Sequence, residues 1–168
     1  MTPDNLQKNT PHSSSVTLHS VFLIFFLFFA IPVFSQSADE IDYLLSLDAV
    51  NYGQAAWLIL NAADIQNAAD EGSAFNYAAE RNWISRNADI NGSAKLNEVS
   101  LLIMQSFNIK GGVLYTLFKN TSAALAARYA YRELVYINVI YGRADPQMEV
   151  SGDLLLYMVG SILERIGN

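Results

Sequence analysis

The sequence predicts an all-α protein of tandem helix-loop-helix repeats, about three of them, forming one helical bundle behind a secretory signal. A degenerate repeat is the first reason. Its core reads Val50-Asn51-Tyr52-Gly53-Gln54-Ala55-Ala56-Trp57-Leu58-Ile59-Leu60 and returns as Ala94-Lys95-Leu96-Asn97-Glu98-Val99-Ser100-Leu101-Leu102-Ile103-Met104. It returns again as Glu149-Val150-Ser151-Gly152-Asp153-Leu154-Leu155-Leu156-Tyr157-Met158-Val159. Apolar residues at helical spacing, separated by polar loops, are the second. The third is the unbroken apolar run Val21 to Ile31, preceded by a polar stretch whose basic groups are Lys8, His12 and His19.

A run of roughly 10–14 apolar residues is too short to span a bilayer core as a helix, which takes about 20. It fits the apolar region of a secretory signal, with Val33 and Ser35 small enough to flank a cut after Ser35. The expectation is therefore a signal peptide at 1–35 and a single helical repeat domain at 36–168. The location is exported, periplasmic or associated with the cell envelope. The alternative is a membrane anchor formed by an uncleaved 21–34. The chain has no cysteine, which excludes disulfides, thiolate metal sites and a lipid-modified cysteine. It carries a net charge of −6 with no basic cluster, which argues against nucleic-acid binding. The same acidity argues against anchoring of the mature domain to anionic lipid.

The elements follow in order. Asp39 to Leu47 carries Ile41, Leu44, Leu45 and Leu47 on one stripe, with acidic residues at the positive end of a short helix. Residues 50–63 are apolar on most sides and read as a buried helix. Asp64 to Gly72 is polar and alanine-rich, a connection. Residues 73–84 present Phe75, Ala78, Ala79 and Trp83 as an inner face. The loop Ser85 to Ser93 leads to helix 95–108, with Val99, Leu102, Ile103 and Phe107 on one stripe and Lys110-Gly111-Gly112 as its stop. Val113 to Phe118 reads equally as a strand or a short buried helix. Lys119 to Ser122 is a loop, helix 123–138 follows, then a turn from Gly142 to Pro146 and a last helix from about Ser151 to Ile166.

Acidic or amide markers align the repeats at Gln54, Glu98 and Asp153. The longer second interval contains an insert at 111–122, and the units run roughly 41–66, 73–110 and 123–166. A second feature travels with the first. Asn82-Trp83-Ile84 and Asn138-Val139-Ile140 each end a helix, and Arg86-Asn87-Ala88-Asp89 rhymes with Arg143-Ala144-Asp145. The pattern resembles S-layer homology repeats, in which a helix ends in a Gly-Ile-like turn and a loop leads to an Ile-Thr-Arg-Ala-Glu-like helix start. The resemblance implies three repeats about a pseudo-threefold axis that hold an envelope protein to a cell-wall polymer. It also implies an arginine at the helix start that contributes to ligand binding. The corresponding positions here are Tyr52, Leu96 and Ser151, so that guanidinium is missing. Gln54, Glu98 and Asp153 match the family's glutamate, and an amide or carboxylate in the first helical turn caps the helix.

Two constellations could bind a ligand. Asn87 to Glu98 has the outline of a twelve-residue EF-hand loop. Asn87, Asp89 and Asn91 are its first three ligands, Gly92 its sharp turn, the Ser93 carbonyl its seventh-position ligand and Glu98 its bidentate carboxylate. Calcium is the one cofactor the sequence suggests, against a simpler reading in which the loop merely leads into a helix. Arg128-Tyr129-Ala130-Tyr131-Arg132-Glu133-Leu134-Val135-Tyr136 is the aromatic and basic cluster. Arg128, Tyr129, Arg132 and Tyr136 are candidates for a sugar- or peptide-binding surface, against packing within the bundle. Both histidines precede the expected cut, so histidine-dependent catalysis is excluded from the mature chain, and no carboxylate pair is singled out. Asn120-Thr121-Ser122 and Asn91-Gly92-Ser93 match the glycosylation acceptor pattern. The expected function is non-catalytic binding or scaffolding, with a cell-wall polymer or envelope protein as partner.

Overall fold

A computed structural model describes residues 32–65, 68–142 and 144–167. Most of the expected leader, with the apolar run 21–31, therefore lies outside the described residues, as does Arg143. The chain divides into a unit ending at Ile41 and a compact unit from Asp42 to Asn168. The protein is all-α. Its described helices are α1 Pro32–Leu45, α2 Tyr52–Ala62, α3 Glu71–Glu80, α4 Leu96–Ser106, α5 Val113–Phe118, α6 Ala123–Tyr136 and α7 Gly152–Gly167. No described helix is long and apolar enough to cross a membrane.

Three helix starts meet through their backbones. Val50, Ala94 and Val150 each stand two residues before a helix, and all three are fully buried. Val50 N–H donates to the Val150 carbonyl at 2.8 Å, Val150 N–H to that of Ala94 at 3.0 Å, and Ala94 N–H to that of Val50 at 2.9 Å. The three bonds close a ring. The first amide of each following helix extends the pattern: Tyr52 N–H donates to Gly92, Leu96 N–H to Met148 and Gly152 N–H to Leu47, at 3.0–3.1 Å. Gly53 and Asn97, the second residues of α2 and α4, donate to Ile90 and Pro146 at 3.1 and 2.9 Å. A helix leaves its first amides without internal partners. Here the loop before one helix supplies carbonyls to the start of another.

The ring corrects the third register by one residue. Val150 is the equivalent of Val50 and Ala94, so Gly152, rather than Ser151, matches Tyr52 and Leu96. Leu154 then takes the place of Gln54 and Glu98. Aligning on the acidic Asp153 caused the slip. Asp153 instead occupies the second position of α7, where the Ser151 hydroxyl and nearby backbone amides hold its carboxyl below the usual range. Gln54 does cap as expected: Asn51 Oδ1 accepts from Gln54 N–H at 2.7 Å, and Gln54 Oε1 from Asn51 N–H at 3.0 Å.

Helix ends are equally uniform. Asp64, Asn82, Asn108 and Asn138 follow α2, α3, α4 and α6 with φ of 57°, 56°, 49° and 56°. The next residue of each (Ile65, Trp83, Ile109, Val139) donates its N–H to the carbonyl five residues back, at 2.9 Å in all four. Asparagine and aspartate tolerate this left-handed conformation better than other side-chain-bearing residues. Asn108, and not Gly111-Gly112, therefore terminates α4. Two starts differ from expectation: α1 begins at Pro32 rather than at Asp39, and Asp70 caps α3 through Ser73, so that helix begins at Glu71. Residues 113–118 resolve as the short helix α5.

Helix α4 is the centre of the core. Beyond the expected stripe it buries Leu101 and Met104, while Phe107 is only half-buried. It packs along α6 and against α2, which also contacts α3 and α7. Burying one such side chain is worth about 1.5–3 kcal/mol. On the same helix the buried Ser100 hydroxyl is satisfied by the Leu96 carbonyl at 2.6 Å, while the buried Ser106 Oγ has no hydrogen-bond partner.

Candidate functional site

The loop 87–98 is tied to backbone work. Its Ile90 and Gly92 carbonyls accept from the first two amides of α2. Asp89 Oδ1 accepts from Asn91 N–H at 3.1 Å, a local turn. Gly92 was expected to make the sharp sixth-position turn, but its φ is not positive; among described glycines only Gly142 has that conformation. Ser93 pairs with Asn51 in an isolated antiparallel bridge. Glu98 accepts from the Tyr52 hydroxyl, and burial followed by this bond raises the Tyr52 pKa. Asn87, Asp89 and Asn91 lie on the exposed outside of the loop. Among the described residues no group of three or more His, Cys, Asp or Glu side chains is placed to hold a metal.

The α6 cluster is split between packing and solvent. Tyr129 stacks on Phe118, with ring centroids 5.0 Å apart and planes 10° off parallel. Arg128 and Arg132 are exposed, and Tyr136 is 82% exposed at the helix end. None of these four residues lines the clefts described below. The remaining tyrosine of the run, Tyr131, bonds the Ala144 carbonyl at 2.6 Å and fixes the following loop.

A cleft that composition did not mark lies where α3 ends, between the last turn of α4 and the start of α6. Arg81, Asn82, Trp83, Gln105, Lys119, Asn120, Thr121 and Ser122 line it, with a volume of about 190 Å³. No carboxylate is among its lining residues. The left-handed Asn82 aims the chain so that Trp83 turns back onto Tyr77, edge to face at 5.7 Å. The Arg81 guanidinium sits 3.5 Å from the Tyr77 ring centroid and donates to the Tyr77 carbonyl at 3.2 Å. One cation is thereby held in place before any ligand arrives, since a stacked guanidinium keeps donors free. Across the cleft Ser122 caps α6 by accepting from Leu125 N–H at 3.3 Å. That end of a helix favours negative charge.

A second cleft repeats the position one step along the chain. Asn138 and Ser161 line it at the places that Asn82 and Gln105 hold in the first, with Tyr141, Tyr157, Glu164 and Arg165 around a volume of about 320 Å³. The Tyr141 and Tyr157 rings lie 6.0 Å apart, and the hydrogen bond between their hydroxyls raises the Tyr141 pKa. Sequence reading passed over both clefts because Arg81 and Trp83 looked like a helix end and an inner face, and 119–122 like a plain loop. No protein family, curated protein or solved structure matches this chain.

Proposed function

We propose that this chain is an exported envelope protein, built from about three degenerate S-layer-homology-like units, that binds an acidic envelope polymer without catalysing a reaction. The observation that carries the reading is the carboxylate-free cleft at Arg81, Trp83 and Lys119 in a chain of net charge −6. Two cations, an indole and a row of amides and hydroxyls supply what an acidic sugar needs: charge pairing, a stacking face and hydrogen bonds to hydroxyls. The volume is below the roughly 300–1,000 Å³ of drug-sized pockets and suits one residue of a polymer rather than a whole small ligand. The ring of hydrogen bonds at Val50, Ala94 and Val150 supports the repeat reading, because it relates three chain segments in cyclic order. The leader at 1–35 supports export.

The test is cosedimentation with purified cell-wall material before and after acid extraction of its anionic polymer. Wild type should bind the unextracted wall and lose most binding after extraction. Arg81→Gln with Lys119→Gln should weaken binding about tenfold or more, since a hydrogen bond to a charged group is worth about 1.5–3 kcal/mol. Equal binding to extracted and unextracted wall would sink the reading.

A further inference from the structure

The segment 111–122 lengthens the chain between the second and third helix starts, and what it adds is part of the first cleft. From Ala94 to Val150 the chain is longer than from Val50 to Ala94 by the length of this segment. Its last residues, Lys119, Asn120, Thr121 and Ser122, line the cleft together with Arg81. The equivalently placed second cleft has one carboxylate, Glu164, for its one cation, Arg165. Lys119 is therefore what gives the first cleft a second cation and a preference for anions. The ammonium is only as well placed as the backbone that carries it. Lys119 follows α5, a helix of six residues, and helices shorter than about 12 residues are marginal by themselves. Helix α5 packs against α6, while its Val113, Leu114 and Leu117 are exposed. Two rings hold it. Tyr115 is buried, and Gly111 leaves room for it, since a Cβ there would fall on the ring. Phe118 lies flat on Tyr129 of α6, ring centroids 5.0 Å apart and planes 10° off parallel. Lys119 N–H donates to the Tyr115 carbonyl at 2.8 Å, and the Phe118 carbonyl accepts from the Thr121 N–H at 3.0 Å and from its hydroxyl at 2.6 Å. Glu133 stands beside Gly112, at the far end of α5 from Lys119.

We propose that the segment 111–122 is the specificity element of the first cleft, and that Tyr129, through its stack on Phe118, is the residue that positions Lys119 there. Lys119 is fixed from both sides. Its own amide is tied to Tyr115, and the residue before it is clamped between the Tyr129 ring and Thr121. Without the stack, the end of α5 keeps only the Tyr115 anchor one turn earlier, and the ammonium sweeps a wider volume and spends less time at the cleft. The stack needs a ring at position 129 and not the hydroxyl, so phenylalanine should serve as well. Tyr129 thus acts on the cleft through Phe118 and Lys119 without lining it. What the positioned cation is for rests on the polymer reading above; where it stands can be measured without any polymer.

Trp57 and Trp83 are the two tryptophans of the chain, and Trp83 lines the cleft. In the full chain bearing Trp57→Phe, the remaining emission is quenched with iodide and with acrylamide at one low ionic strength. The ratio of the two quenching constants is then the preference of the cleft for an anion over a neutral molecule. Lys119→Gln should lower that ratio about twofold, the effect of removing one unit charge at cleft range in water. Tyr129→Leu should lower it as far, and Tyr129→Phe should keep the parental value. Tyr129→Leu combined with Lys119→Gln should fall no lower than Lys119→Gln alone, because both changes remove one effect. Phe118→Leu breaks the stack from the other side and takes the place of Tyr129→Leu if that variant does not melt cooperatively. An unchanged ratio in Lys119→Gln or in Tyr129→Leu, an equal fall in Tyr129→Phe, or additive falls in the combined variant overturns the proposal. A wild type that does not sediment with wall material overturns the polymer reading alone.

Discussion

Replacing Gly152 by alanine should be among the most damaging single-methyl additions in this protein. A Cβ at that position falls on the Leu44 backbone carbonyl. A carbonyl cannot rotate away as a side chain can, so α7 or the end of α1 must move. Overpacking of this kind costs about 1–3 kcal/mol or somewhat more. The displacement also stretches the Gly152 N–H bond to Leu47 at 3.0 Å and the Val50 N–H bond to Val150 at 2.8 Å. Each is worth about 1 kcal/mol net. Against this stands a gain of up to about 1 kcal/mol in helix propensity. The balance is a loss of about 2–4 kcal/mol, a large part of the usual 5–15 kcal/mol of a domain. At about 3–4 °C per kcal/mol for this size, the melting temperature should fall by about 6–16 °C. Gly160→Ala provides the internal contrast, because the same helix offers open space there, and it should raise the melting temperature by about 3 °C. Thermal unfolding followed by circular dichroism at 222 nm reads both. If Gly152→Ala melts within about 2 °C of wild type, the crowding at the third helix start is wrong, and with it the tight closure of the ring.

Other outcomes follow from single features. Asn108→Ala should cost about 1–2 kcal/mol in chemical denaturation, because alanine is strained at a φ of 49°, while Asn108→Gly should be near neutral; equal effects would remove the left-handed closure as the cause. Burial, then the charge of Glu133, pushes the Tyr115 pKa from 10.0 up to about 12. A raised folded pKa means that its stabilisation is fully present below pH 10 and is lost as pH climbs from 10 towards 12. Tyr52 acts in the same direction. Urea midpoints should therefore fall over that interval and fall less in Tyr115→Phe; identical slopes in the two proteins would count against the assignment. Calcium should leave the wild-type melting temperature unchanged, since Asn87, Asp89 and Asn91 lie on the exposed outside of the loop and no group of three or more His, Cys, Asp or Glu side chains is placed to hold a metal among the described residues. A rise that Glu98→Gln abolishes would restore the metal reading of the 87–98 loop.

Periodicity carried the helices of the compact unit because their apolar residues recur where a helix face demands them, and most boundaries agree within two residues. It failed where signals compete. The left-handed closure at Asn108 was hidden by the louder Gly111-Gly112, and the capping aspartate at 70 by the alanine-rich stretch around it. The equivalence of the helix starts was legible as a rhyme, but its third register was not, since acidic markers at Glu98 and Asp153 serve different capping positions. What aligns the three segments is a set of backbone bonds, and backbone bonds leave little imprint on side-chain identity beyond small or β-branched residues at 50, 94 and 150. The cleft was illegible for a related reason: Trp83, Gln105 and Lys119 are far apart in sequence and ordinary one by one. A tryptophan directly after a left-handed asparagine, with an arginine before it, was the available clue.

A ring has no end pieces. Open stacks of repeats need terminal units with a polar outer side to shield the last apolar face, and they can fray from either end. Here the last helix start is bonded to the first, so neither has an outer face to shield, and no single segment can leave without uncovering two neighbours. The closing contact joins Val150 to Val50, nearly the whole domain apart in sequence. Until Val150 is available the ring stays open, so a chain synthesised from its amino-terminus would complete its fold only after Val150 had emerged.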